Sequence, residues 1–242
     1  MSSFNFIVPA SQISISLNDI HLSEENSIQL ERLLREFKHI NVLQNYQLPV
    51  DNKVLLYGHT GCGKTTTAIS IAKALHKKIL TLNLGEGVID ARLGQSAKNI
   101  TAVFKKAARE NAVLFLDEFD YLGTSRAFDS KDSSEMKRLV NVIIQLMDHL
   151  SKDTLLIAAT NYPDAIDAAL FRRFQLKLKF EKPNNALLDK FYDALIINYP
   201  KAYRSIKRKY NISYAEAKDI ALRAIKRNIM EAEEATQLKQ IS

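Results

Sequence analysis

Cysteine is all but missing from this 242-residue chain. Cys62 stands alone, which excludes a disulfide framework and a cysteine-built zinc site. Tryptophan is absent, glycine and proline number only seven and five, and no internal repeat or low-complexity tract occurs. Five scattered histidines show no metal-ligand spacing. No apolar run approaches the roughly 20 residues that a membrane span requires. The opening stretch MSSFNFIVPASQ lacks both a basic n-region and a long apolar core, so no signal peptide is expected and the cytoplasm is the expected compartment. What is present is ordinary for a globular chain with an ample core: 46% hydrophobic and 25% charged residues. The net charge of +7 is uneven, because sixteen Lys/Arg face only eight Asp/Glu from Arg172 to Ser242. Such asymmetry suits nucleic acid or an acidic partner.

The most informative stretch is KVLLYGHTGCGKTT, Lys53 to Thr66. Val54-Leu55-Leu56-Tyr57 reads as a buried strand. Gly58-His59-Thr60-Gly61-Cys62-Gly63-Lys64-Thr65 then satisfies G-x-x-x-x-G-K-[ST] at every fixed position. Ala68, Ile69, Ala72 and Leu75 follow at helical spacing. Glycines let backbone N–H groups close around phosphate oxygens, and the helix N-terminus adds a favourable dipole. Residues Gly58 to Thr66 are therefore expected to hold a nucleotide, with Lys64 on the β- and γ-phosphates and Thr65 on Mg2+. Cys62 occupies a variable position and reads as filler. A second apolar run, Ala112 to Leu116, ends in Asp117-Glu118. There Asp117 can hold Mg2+ through water and Glu118 can orient or deprotonate a water molecule, which favours hydrolysis over binding alone.

The rest of the chain supplies the frame. Residues 1–18 are expected to form an arm in which Ile13, Ile15 and Leu17 alternate with polar residues, as in a short edge strand. Ser23 to about His39 reads as a helix. Further strands are expected at Lys78–Leu84, Thr154–Asn161 and Phe174–Phe180, the last with one polar face and so at an edge. Helices fit Ser96–Ala108 and Ser134–Leu150, with a polar surface loop over Tyr121–Ser134 between them. From Asn184 onward the pattern is helical, at about 185–198, 201–209 and 213–228. The expected architecture is α/β: a three-layer P-loop core with a parallel five-stranded sheet over residues 19–182, then a small all-helical lid over 183–242.

These pieces together resemble the AAA ATPases. The likeness runs from Asp19 onward through GHTGCGKTT, LGQSAKNITAVFKKA, AVLFLDEFD, SEMKRLVNVIIQLMD, LLIAATNYPDAIDAALFRRF and ISYAEAKDIALRAI. The resemblance implies ATP with Mg2+ as the bound species and the P-loop and Asp117-Glu118 roles already read. It also implies that Asn161 is a sensor near the γ-phosphate and that Arg172 and Arg173 fall where arginine fingers reach the ATP of a neighbouring subunit. Arg138 matches an arginine of the same subunit interface. A homo-oligomeric ring such as a hexamer is implied, with motion of the lid against the core converting nucleotide state into work on a protein substrate or a separately encoded partner. No membrane role is implied.

Four departures from the family pattern stand out. His59-Thr60 replace a pair of prolines, and the two arginines are adjacent, leaving open which is the finger. Asp90-Ala91-Arg92-Leu93-Gly94 lacks the aromatic that grips a threaded polypeptide. Tyr214-Ala215 stands where Gly-Ala is common beside the nucleotide. An alternative function, a nucleic-acid loader or remodeller, is motivated by Lys201, Arg204, Lys207, Arg208 and Lys209 interleaved with Tyr203 and Tyr210.

Overall fold

The structure, a computed structural model, describes residues 6–85, 95–124 and 130–241. The segment Asp90 to Gly94, which lacks the pore aromatic expected from the resemblance, lies outside the described residues. The chain divides into two compact units, the first made of Met1–Ile20, Glu24–Gly58 and Lys64–Phe180. The second gathers His21–Ser23, His59–Gly63 and Glu181–Ser242.

The first unit is built on six strands: β1 (Phe6–Val8), β2 (Lys53–Gly58), β3 (Ile79–Asn83), β4 (Val113–Asp117), β5 (Leu156–Thr160) and β6 (Leu176–Phe180). Their spatial order is β1-β3-β4-β5-β2-β6. The five strands from β2 to β6 pair in parallel, as expected. Near-continuous apolar runs make this arrangement favourable: Val54, Leu55 and Leu56 of β2 and Val113 to Leu116 of β4 are buried on both faces of the sheet. β6 keeps an alternating pattern because it lies at the edge.

The sixth strand departs from the expected arm. β1 pairs antiparallel with β3 through Phe6 to Val8, upstream of the Ile13–Leu17 alternation. The alternating stretch is not a strand: residues 13–16 are irregular between short 3-10 turns at Ala10–Gln12 and Leu17–Asp19. Local chemistry explains the difference. The Ser16 N–H and hydroxyl both donate to the Asp19 carboxylate, at 2.7 and 2.8 Å, and this closed turn outcompetes a ladder.

Helices α1 (Glu24–Lys38), α2 (Ile40–Asn45), α3 (Lys64–Ala74), α4 (Gln95–Arg109), α5 (Tyr121–Thr124), α6 (Ser130–Asp148) and α7 (Ala168–Phe171) complete this unit. α4 buries Ile100, Val103, Phe104 and Ala107, and α6 buries Leu139, Ile143 and Met147, each at helical spacing. Both stripes join Leu55, Leu80, Leu114, Leu116, Leu156 and Phe174 in one apolar cluster. Part of the stretch expected to be a polar loop is helical instead, since Tyr121–Thr124 closes a helical turn and α6 starts at Ser130.

The second unit contains α8 (Asn185–Ile196) and α9 (Tyr214–Ile241). Asn184 caps α8 by accepting the Leu187 N–H at 2.9 Å. Ser213 and Glu216 form a reciprocal cap that starts α9. Leu188 and Tyr192 pack against Ala217 and Ala221 between the two helices. The helix expected over 201–209 is reduced to one 3-10 turn at Lys201–Tyr203, and residues 204–213 run irregularly. Side chains hold that run in place. Arg204 donates to the Tyr199 and Ile197 carbonyls, and the Tyr192 hydroxyl bonds the Lys209 N–H and carbonyl. Asn228 Nδ2 donates to the carbonyls of Tyr203 and Ser205. α9 also continues well past the expected residue 228.

Candidate active site

Asp117 ends β4, Glu118 and Asn161 directly follow β4 and β5, and Lys64 and Thr65 open the helix after β2, so these groups gather at the carboxyl ends of parallel strands, where open α/β sheets bind ligands. β2 ends at Gly58, whose φ of +126° is closed to ordinary side chains. A Cβ there would lie 2.1 Å from the Phe180 carbonyl oxygen of the neighbouring strand, so only glycine fits the exit from β2. The loop then runs through His59–Gly63 and enters α3 at Lys64. Within the second unit the Ala215 N–H donates to the Gly61 carbonyl at 3.1 Å. The Tyr214-Ala215 pair thus abuts the phosphate loop, as its family position implies. Cys62 is buried, with its thiol directed to the Thr60 carbonyl at 3.7 Å.

Lys64 is buried although cationic, which requires partners. Its Nζ donates to the Gly58 carbonyl at 2.7 Å and to Asn161 Oδ1 at 2.8 Å. Asn161 directly follows β5, so the lysine ties the ends of two adjacent strands together. At the second residue of α3, the exposed Thr65 hydroxyl donates to Asp117 Oδ2 at 3.2 Å. Thr66 is half-buried behind it. The Thr65 and Asp117 oxygens are a donor set suited to a hard cation that keeps water and phosphate ligands, as Mg2+ does. No cluster of three or more His, Cys, Asp or Glu occurs among the described residues, so an all-protein metal cage is not formed there.

Glu118 adopts φ +53°, an uncommon conformation for a non-glycine residue and one found disproportionately at functional sites. Its N–H donates to Asp117 Oδ1 at 3.0 Å. The side chain turns toward the end of β3: a Cβ on Gly85 would lie 1.9 Å from Glu118 Oε2. Any larger residue at Gly85 would displace the carboxylate. Gly85 itself donates its N–H to Asn83 Oδ1 at 2.8 Å, which shapes the wall beside Glu118.

The two arginines differ sharply. Arg173 forks onto Asp148 through Nε and Nη2, both at 2.8 Å, while Nη1 donates to the Ala169 carbonyl at 2.7 Å. That guanidinium holds the Asp148 carboxyl below its usual pKa, and Asp148 holds the guanidinium above its own. Arg172 is exposed, and its side chain makes no hydrogen bond or ion pair among the described residues. Arg138 is also exposed, beside Lys98, Thr101 and Lys105 in an open groove of about 530 Å3 on the α4–α6 face. In the second unit, Arg208 pairs with Asp189 and Asp193 and lies over the Tyr192 ring, and Arg204 is spent on carbonyls. That leaves Lys201, Lys207 and Lys209 as the exposed cations of the basic run.

Residues 54–182, more than half of the chain, match the family model described as "ATPase family associated with various cellular activities (AAA)". The chain belongs to the AAA family of ATPases. An AAA family ATPase named y4kL, from Sinorhizobium fredii, is 35% identical over 91% of this chain and 67% of its own length. A cell division cycle protein 48 homolog from Archaeoglobus fulgidus is 31% identical over 73% of this chain but only 25% of its own length. The peroxisomal ATPase PEX1 of Saccharomyces cerevisiae is 32% identical over 62% of this chain, which spans 14% of that protein. Among solved structures, the FIGL-1 AAA domain superposes with a TM-score of 0.73, covering 98% of this chain and 79% of its own at 20% identity. That likeness concerns the fold. For this AAA ATPase, no helix among the described residues is long and apolar enough to cross a membrane.

Sequence reasoning missed two participants. Asp148 is 25 residues from Arg173 and, although it closes the stretch SEMKRLVNVIIQLMD, nothing local marks it as an arginine partner. Asp120 is the third acid of AVLFLDEFD, and its position two residues beyond Glu118 is the local signal of its place beside the site.

Proposed function

We propose that this AAA ATPase hydrolyses ATP with Mg2+ as an oligomer whose sites are completed in trans by Arg172, and that it uses the cycle to remodel a protein partner. One observation carries the reading: Lys64, bonded at once to the loop at Gly58 and to Asn161, stands one residue from the Thr65–Asp117 pair. Backbone N–H groups of Gly58 to Thr66 and Lys64 Nζ would hold the phosphates. Mg2+, held by Thr65 and Asp117, would neutralise charge on the phosphate oxygens. Glu118 accepts a proton from, or orients, the attacking water, and Asn161 positions it. Arg172 is free to reach a neighbour, whereas Arg173 is a strut between α7 and α6. A finger of this kind contributes about 10³–10⁵ in rate in related nucleotide hydrolases. Family membership supports remodelling as the work done. The commitment of Arg204 and Arg208 to internal bonds counts against the nucleic-acid alternative.

The test is phosphate release against protein concentration, with Arg172→Ala subunits mixed into Lys64→Ala subunits. Activity recovered only in the mixture supports a trans finger. A rate per subunit that is independent of concentration and unmoved by Arg172→Ala would sink it.

A further inference from the structure

Past Glu118 the chain does not leave the site. The Phe119 N–H donates to the Ala159 carbonyl at 2.8 Å, which stitches the end of β4 to the end of β5. Phe119 is fully buried and meets Phe174 edge-on at 5.5 Å, so this turn is anchored from beneath. Asp120 comes next, half-buried, with one oxygen accepting two bonds. The Thr160 hydroxyl donates to Asp120 Oδ1 at 2.6 Å, and the Asn161 N–H donates to the same atom at 3.2 Å. Thr160 is almost wholly buried, and its oxygen also accepts the Tyr162 N–H at 2.9 Å. The backbone on both sides of Asn161 is therefore pinned, on one side directly by Asp120 and on the other through the Thr160 hydroxyl.

We infer that Asp120 is a positioning residue for hydrolysis: it fixes the backbone of Asn161 so that the amide oxygen meets Lys64 at the phosphates. This rests on the reading of Asn161 and Lys64 given under the proposed function. The connection runs through consecutive contacts, from Asp120 Oδ1 to the Asn161 N–H, then from Asn161 Oδ1 to Lys64 Nζ. The same turn carries Glu118, so one carboxylate sets the spacing between the water-orienting acid and the sensor. Charge is part of the design, because a carboxylate accepting two bonds at one oxygen binds them more tightly than a neutral acceptor does. Asn at this position keeps the acceptor and loses the charge; Ala loses both.

The experiment uses the full chain and compares steady-state ATP hydrolysis, binding of a fluorescent ATP analogue and thermal midpoint for Asp120→Ala, Asp120→Asn, Thr160→Val and Asn161→Ala. Asp120→Ala is expected to lower kcat by about 10²-fold, the cost of a misplacement near 1 Å, with analogue affinity changed less than about threefold. Asp120→Asn recovers most of that loss. Asp120→Ala added to Asn161→Ala lowers kcat no further, because the two act through one path. Should Asp120→Ala fail to fold, Asp120→Asn and Thr160→Val carry the test, each with a smaller loss in kcat at unchanged affinity. The inference is overturned if Asp120→Ala retains kcat, if its loss follows affinity or thermal midpoint alone, or if it multiplies with Asn161→Ala. If Asn161→Ala itself hydrolyses at the parent rate, the sensor reading fails first; if it is inactive while Asp120→Ala is not, only the positioning role fails.

Discussion

The α/β unit and the helical second unit are held by different kinds of bonds. In the first, five parallel strands exchange main-chain hydrogen bonds and close a two-sided apolar core, so the backbone satisfies itself. In the second, residues 204–213 have no ladder, and the side chains of Tyr192, Arg204 and Asn228 supply the missing partners. Periodicity is a record of burial against a regular backbone. It reads the first region well and misreads the second, where a lysine- and arginine-rich stretch looks like an exposed helix but is a strapped coil.

The largest expected effect tests the main-chain side of that comparison. Gly58→Ala drives a Cβ into the Phe180 carbonyl at an already left-handed φ. It should cost at least about 2 kcal/mol and abolish nucleotide binding, read by urea titration and by analogue fluorescence. Glu118→Gln should keep the fold and the analogue affinity while lowering kcat by about 10²-fold or more, as loss of a water-orienting base does. Equal losses in affinity and rate would place Glu118 outside the chemistry.

On the side-chain side, Tyr192→Phe removes only a hydroxyl that bonds Lys209 twice. A loss of about 1 kcal/mol is expected, visible as faster amide exchange over 204–213 with the strands unchanged. An unchanged exchange pattern would show that packing, not strapping, holds the segment. The smallest effect concerns pH. His21 packs near the Phe191 and Tyr214 rings, and burial, with Lys190 second, lowers its pKa below 6.5. The unfolded chain then binds the proton more readily than the folded one. Stability from this group is full above about 6.5 and is lost as pH falls through the lower folded value. His21→Phe should flatten that acid limb of the thermal midpoint. Tyr214, pushed up to about 12 chiefly by burial and then by Cys62, stays neutral across the same range.

Local composition marked the five parallel strands, the helices on them and the glycine-rich turn from β2 into α3, because each depends on neighbours within a few positions. The edge pairing of Phe6–Val8 was not legible, since β1 meets β3 more than seventy residues later and its partner choice leaves no local trace. Nor was the division between the arginines. Arg172 and Arg173 are chemically identical neighbours, and only the approach of Asp148 on α6 binds one and leaves the other exposed.

The amino-acid sequence by itself determined the strand–turn–helix wording of Gly58–Thr66, from which a phosphate loop is expected, and the buried strand that ends in Asp117 and Glu118. Both follow from short-range rules of backbone conformation and burial. Only the tertiary structure decided how those pieces are braced: Lys64 to Asn161, Thr65 to Asp117, and Asp120 across to Thr160. The lateral order of parallel strands sets these contacts, and it brings together side chains 40 to 97 residues apart along the chain.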